Sequence, residues 1–354
     1  LTEYDVHGLV GVRLVDATPR DERAVDRQLG PVKAPLDREP DIVVRFVDRV
    51  AVQGDVRLLG AAEAGFSDDA FLVLRSRHKA RARVRIDLER VGSPGCEIVC
   101  DHGIPAVPLL VATINLTALG KGALPLHASA FTYNDTGVVV TGWSKGGKTE
   151  SVLAFTARGA QFVGDEWIYV DGDGESVYGL PEPMRLWDWQ LRQMPEVRTR
   201  IASDDRRRLG ALRLATRTAG RRTPPRVRAL LDRQLHVDVA PEQLFGDITP
   251  TGRFERLFYA SSWERPDVEV RPVDPLDVAE RMAFSLRYER FPLQAHYEMF
   301  RFAFPDRVNP VLEQAPQREQ ELLRKTFAGK TAFAVDHPYP VSLDELFEAM
   351  AEYC

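Results

Sequence analysis

The chain has 354 residues, 44% hydrophobic and 28% charged, which is enough apolar content for two domains or one enlarged α/β domain. Its net charge of −5 is mild and its acids are spread among its bases, so it carries no global field for nucleic acid. The longest apolar passage, Ile104 to Leu119, is interrupted by Pro105 and Pro108 and falls short of a membrane span.

No charged-then-apolar leader follows Leu1, and the cytoplasm is the expected compartment. The three cysteines agree with this: Cys96 and Cys100 share one face of a strand-like run, Cys354 is terminal, and together they are too sparse for a zinc site. Residues 1–105 show short period-two runs at Leu9 to Val15, Asp41 to Val47, Val56 to Leu59, Phe71 to Arg75, Ala82 to Leu88 and Glu97 to Cys100. They predict an antiparallel, β-rich N-terminal region. Leu109 to Leu119 then reads as a helix leading into the His127 strand.

The most informative stretch comes next. The apolar run Val138 to Val140 precedes Gly142-Trp143-Ser144-Lys145-Gly146-Gly147-Lys148-Thr149, a complete G-x-x-x-x-G-K-[ST] loop. Glycines let successive backbone N–H groups converge on phosphate oxygens, a lysine at position 148 reaches the β and γ phosphates, and the Thr149 hydroxyl suits Mg²⁺. Thr149 to Arg158 is helix-forming and is closed by Gly159, so the loop falls between strand and helix as that chemistry requires. Ala160 to Gly164 reads as a second strand delivering Asp165 and Glu166 to its C-terminal end, where ligands of open α/β sheets gather. One acid can hold a metal and the other accept a hydroxyl proton. Val170 to Glu175 looks like a calcium loop but lacks downstream ligands, and a hairpin turn explains it.

Pro181 to Met184 forms a rigid approach to Arg185, whose planar fork matches phosphate oxygens. Residues 184–197 are rich in Trp and Arg. Arginines cluster again from Asp204 to Arg233, with Thr223-Pro224-Pro225 breaking the run; this is a solvated helix and loop, or a mobile basic segment that draws in an anion. Val237, Val239 and Leu257 to Tyr259 predict further strands, and Pro275 to Phe304 a helix split at Pro292. A charged helix is expected from Pro316 to Phe327, a strand from Thr331 to Val335, and a helix from Ser342 to Tyr353 with Ser342 as N-cap.

Leu126-His127-Ala128-Ser129-Ala130, the strand from Gly137 to Thr141, the loop with Glu150 after it, Arg158-Gly159 and Val163-Gly164-Asp165-Glu166 together resemble the core of HPr kinase/phosphorylase and its kinase-like relatives. The resemblance covers about residues 124–187. It implies an α/β fold with a P-loop kinase core of HPr kinase type at 106–274, carrying the Arg-rich insertion, between the β-rich N-terminal region and a mostly helical region at 275–354. It also implies that Gly142 to Glu150 contact ATP, that Thr149, Glu166 and Asp165 serve Mg²⁺, and that Asp165 is the general base. His127 matches a histidine close to the catalytic aspartate and is expected to orient it; taken alone, it reads as a satisfied core residue. Glu166 stands where the family usually has aspartate, and Lys145 where its loop commonly has glycine. Trp143 is a further departure, placed to pack on a base, on a substrate ring or over the loop. No counterpart of the phosphorylase segment is present, so phosphorolysis and HPr as acceptor are not expected. The expected activity is transfer of the γ-phosphoryl group to a hydroxyl of a small metabolite or of a peptide or protein serine, with Lys148 and Arg185 spreading the negative charge. A carboxykinase-like enzyme and a non-catalytic ATP-binding regulator are the alternatives. No membrane partner is expected, and a ring or dimer is compatible with the resemblance.

Overall fold

The computed structural model describes residues 2–75, 81–218, 225–246 and 248–354, and shows a mixed α/β protein built on several sheets. Residues 219–224, which include the Thr223-Pro224 break in the Arg-rich run, lie outside the described residues; the segment on either side is helical, Ser203–Thr218 and Pro225–Arg233.

Six of the N-terminal strands arise where the period-two runs lie, and Ile42–Val47 alternates buried and half-buried residues as a strand covered on one face should. They join an eight-stranded sheet with Thr2–Val6 and Ala64–Phe66, which their short or glycine-containing runs concealed. The sheet corrects the antiparallel expectation: Val10–Val15 pairs parallel with Ile42–Val47, and Ile42–Val47 parallel with Cys96–Asp101. A parallel pair needs a crossover. The first crossover contains the unpredicted helix Pro19–Leu29, started by a capping box in which the Thr18 and Asp21 side chains each bond the other's backbone N–H.

The second sheet has six strands, ordered Gln161–Gly164, Ala128–Tyr133, Thr136–Thr141, Arg256–Ser262, Thr331–His337, Glu269–Pro272. Thr136–Thr141 and Thr331–His337 both run parallel to Arg256–Ser262, so these three strands end at the same edge. On one face lie the helices Lys148–Thr156, Asp188–Gln193 and Leu343–Met350, enclosing Phe131, Phe155, Phe258 and Leu346. The other face is covered by a four-stranded sheet and by helices Pro275–Glu289 and Pro310–Phe327, around Val139, Leu257, Met282 and Phe327. At His127 the chain leaves the four-stranded sheet, where Leu124–Leu126 pairs with Ile168–Val170, and enters the six-stranded one as Ala128–Tyr133. A buried polar side chain thus stands at a crossing between two sheets.

The hairpin at 171–175 is as expected, with the Asp171 carboxylate accepting from the N–H groups of Glu175 and Ser176. The break at Pro292 separates Pro275–Glu289 from Phe291–Ala303. The helix expected from Pro316 instead begins at Pro310, and Pro316 lies inside it. Asn309 explains the earlier start. Its Oδ1 accepts from the Leu312 N–H at 3.0 Å, while its Nδ2 donates to the carbonyls of Leu88 and Val91 at 2.7 and 2.8 Å, tying the helix to the N-terminal half. Asn309→Ala is expected to cost about 2–4 kcal/mol, because a cap is lost and two carbonyls lose a buried donor. Ser342→Ala, which removes a half-buried cap that ties the helix to no other element, should cost about 1 kcal/mol. Urea unfolding of the two variants measures the difference, and equal losses would deny Asn309 its bridging role.

Candidate functional site

The glycine-rich loop 142–147 connects the central strand Thr136–Thr141 to the helix Lys148–Thr156, as expected. Its glycines are there for space. A Cβ on Gly142 would fall 2.2 Å from the Ala260 carbonyl oxygen, and one on Gly147 would fall 2.0 Å from His337 Nε2. Lys145 takes φ 64, the left-handed backbone that usually selects glycine, at the position where the sequence substitutes lysine for glycine. Ser144 is half-buried, the Lys145 side chain is exposed, and Trp143 packs its ring 5.0 Å from that of Tyr288 at the end of helix Pro275–Glu289.

Behind the loop the polar groups are buried and interlocked. Lys148 folds back so that Nζ donates to the carbonyls of Gly142 at 3.2 Å and Trp143 at 3.0 Å. Burial lowers its pKa, while the carboxylates of Glu166, Asp165, Glu289 and Glu150 pull the other way. Ser129 Oγ donates to the Lys148 carbonyl at 2.8 Å, and Ser151 Oγ to that of Gly147 at 2.9 Å, fixing the first helical turn from both sides. Glu150, expected at the nucleotide, is turned inward: Oε1 accepts from Gln190 Nε2 at 2.8 Å, and burial raises its pKa.

Thr149 and Asp165 meet. The Thr149 hydroxyl donates to Asp165 Oδ2 at 2.9 Å, although the strand bearing Asp165 is two places from the loop strand. Burial pushes the Asp165 pKa up, the charge of Glu166 adds to it, and the Thr149 bond and Lys148 offset only part, leaving it at about 7. Glu166 turns the other way, with φ 68. The structure therefore corrects the expected pairing of His127 with Asp165. His127 Nε2 lies 2.9 Å from Glu166 Oε2, and Nδ1 lies 3.0 Å from Glu289 Oε1, near enough for an ion pair but without hydrogen-bond alignment. Burial depresses the His127 pKa, but its two carboxylate neighbours outweigh that and the net shift is upward.

Arg185 is half-exposed and spends its fork on Asp238, its cross-strand neighbour, with Nε 2.9 Å from Oδ1 and Nη2 3.3 Å from Oδ2. Glu289, Tyr288 and His337 were not legible as site residues. All three arrive by tertiary packing, and none has a local motif. Among the described residues no group of three or more His, Cys, Asp or Glu side chains is arranged to hold a metal ion. What the site offers a divalent cation is the Thr149 hydroxyl beside the Asp165 carboxylate, within a shell where acids outnumber bases. Mg²⁺ suits such a place, since it takes one or two protein ligands and completes its sphere with phosphate and water.

A buried aspartate with a raised pKa has a signature in stability. Since the folded value of about 7 stands above the ordinary 3.8, Asp165 favours the fold at low pH, and that contribution fades as pH rises through about 7. Asp165→Asn should therefore gain stability relative to the native chain between pH 5 and 7, by at most about 1.4 kcal/mol per pH unit, then level off. Urea midpoints of both proteins at pH 5, 6, 7 and 8 measure this, and a gap independent of pH would contradict it. No protein-family model and no curated protein sequence matches this chain.

Proposed function

We propose that the protein is an ATP- and Mg²⁺-dependent phosphotransferase with a P-loop kinase core of HPr kinase type, moving the γ-phosphoryl group onto an alcohol. The observation that carries this reading is the contact between Thr149 and Asp165, which joins the end of a phosphate-loop motif to a buried acid whose pKa lies near neutrality. An aspartate of ordinary pKa is a weak base, whereas one near 7 is matched to accept a hydroxyl proton as the new P–O bond forms.

The loop N–H groups and the start of helix Lys148–Thr156 hold the phosphates, and Lys148 exchanges its two loop carbonyls for phosphate oxygens. Bound Mg²⁺ supplies the positive charge that lets a polyphosphate approach a shell containing Asp165, Glu166 and Glu289. Affinity for ATP should accordingly depend on the metal. Glu166, steadied by His127 and through it by Glu289, keeps its carboxylate at the rim, from where its charge raises the pKa of Asp165. Arg185 reaches the transferring group only by giving up Asp238, so its contribution to the reaction is secondary. The acceptor is an alcohol on a small metabolite or on a peptide or protein serine.

Incubating the protein with γ-labelled ATP and fractions of its host's extract, then separating labelled macromolecules from labelled small molecules, identifies the acceptor class. Lys148→Ala should abolish transfer. Asp165→Asn should lower it by about 10²–10⁴-fold while Mg·ATP still binds. Undiminished transfer by Asp165→Asn would remove it as base, and no transfer by the native protein to any fraction would overturn the kinase reading.

A further inference from the structure

Beyond Arg185, the Trp- and Arg-rich stretch after Met184 builds the wall of a cleft. Helix Asp188–Gln193 and the turn before helix Leu343–Met350 border an open hollow of about 400 Å³, lined by Trp189, Arg192, Gln193, Pro340, Val341 and Ser342. That volume falls in the range of small-molecule sites. Tyr339, 49% exposed, meets Trp189 edge-to-face with ring centroids 5.7 Å apart.

Two short paths connect this cleft to the loop. On one side Glu150, two residues after Lys148, is bonded to Gln190, the neighbour of Trp189. On the other, His337 Nε2 lies 2.9 Å from the Gly146 carbonyl oxygen, and Tyr339 follows two residues later. Strand order supplies the direction. The strand that delivers Asp165 is two places to one side of the loop strand, whereas Arg256–Ser262 and Thr331–His337 are the first and second on the other side. These last two run parallel to the loop strand and end at its edge of the sheet, where open α/β sheets bind ligands. A nucleotide whose reacting phosphate points toward Asp165 must trail its nucleoside over the opposite half, above His337 and the turn that follows. That turn leads into a helix packed on the same face as Lys148–Thr156.

Resting on the nucleotide reading above, we infer that this cleft is the nucleobase site, in which a purine lies against Trp189 and Tyr339 with the Arg192 guanidinium beside it. The polar side chains lining it are already engaged. Gln193 Nε2 donates to the Val341 carbonyl at 3.1 Å, its Oε1 accepts from the Leu343 N–H at 2.9 Å, and Ser342 Oγ accepts from the Glu345 N–H. Gln193 keeps only one amide hydrogen and one lone pair to meet the edge of a base, so the cleft grips chiefly its faces and tells adenine from guanine poorly.

Calorimetric titration of the full chain with ATP, GTP and inorganic tripolyphosphate, each with Mg²⁺, tests the inference. The native protein should bind ATP and GTP within about threefold of each other, and both more tightly than tripolyphosphate. Trp189→Ala should weaken both nucleotides about tenfold and leave tripolyphosphate unchanged, which also shows that the variant is folded; Trp189→Phe should recover most of the loss. Lys148→Ala should weaken all three ligands. If Trp189→Ala binds ATP as well as the native chain while Lys148→Ala does not, the base lies elsewhere and only the phosphate site stands. If the native chain binds neither nucleotide nor tripolyphosphate, the phosphate site itself falls and the base site with it.

Discussion

The loop backbone comes against the Ala260 carbonyl at Gly142 and against the His337 ring at Gly147, and the geometry of the centre follows from that approach. Side chains at these positions would collide with the Ala260 carbonyl and the His337 ring. Without them, the loop settles between the ends of two neighbouring parallel strands, and helix Lys148–Thr156 starts with its first turn against Ser129 and the buried acids. The placement of Lys148 and the facing of Thr149 toward Asp165 are consequences of where that helix begins.

Charge is concentrated there at a cost to stability. Asp165, Glu150, Lys148 and His127 are all buried, and burial of ionisable groups is unfavourable unless each finds partners. Partners exist, but the balance is uneven: Lys148 sits among four carboxylates, and Asp165 keeps a raised pKa despite its bond to Thr149. A purely structural network would tend to cancel such a surplus. On the proposed function, a site that receives a metal and a polyphosphate would keep it, with stability supplied by the aromatic and aliphatic packing on both faces of the sheet.

The centre was legible because its determinants are local. Strand, glycine loop, helix and second strand follow one another within 30 residues or so, each with its own signal in periodicity or turn chemistry, and the elements lie where those signals put them. What closes the centre was not legible. Glu289 and Tyr288 come from the end of a helix more than 100 residues away, His337 from the end of a strand, and a carboxylate or imidazole at such a place has no pattern of its own. The His127 pairing was misjudged for a related reason. A strand end delivers adjacent residues to opposite sides, so Asp165 and Glu166 part company, and which of them faces His127 depends on the left-handed backbone at Glu166. The parallel pairings of the N-terminal sheet were hidden because alternation reports a covered face and is silent about direction. The capping box at Thr18 and Asp21 was a readable signal that period-two runs on either side overshadowed.

On the proposed function, loop and acids together receive the terminal phosphates of a nucleotide. A crystal structure with a non-hydrolysable ATP analogue and Mg²⁺ tests it most directly. Lys148 Nζ should leave the carbonyls of Gly142 and Trp143 for phosphate oxygens, and the Thr149 hydroxyl should turn from Asp165 to the metal, with Asp165 facing the terminal phosphorus. An analogue bound away from the loop, with Lys148 still on its two carbonyls, would contradict it.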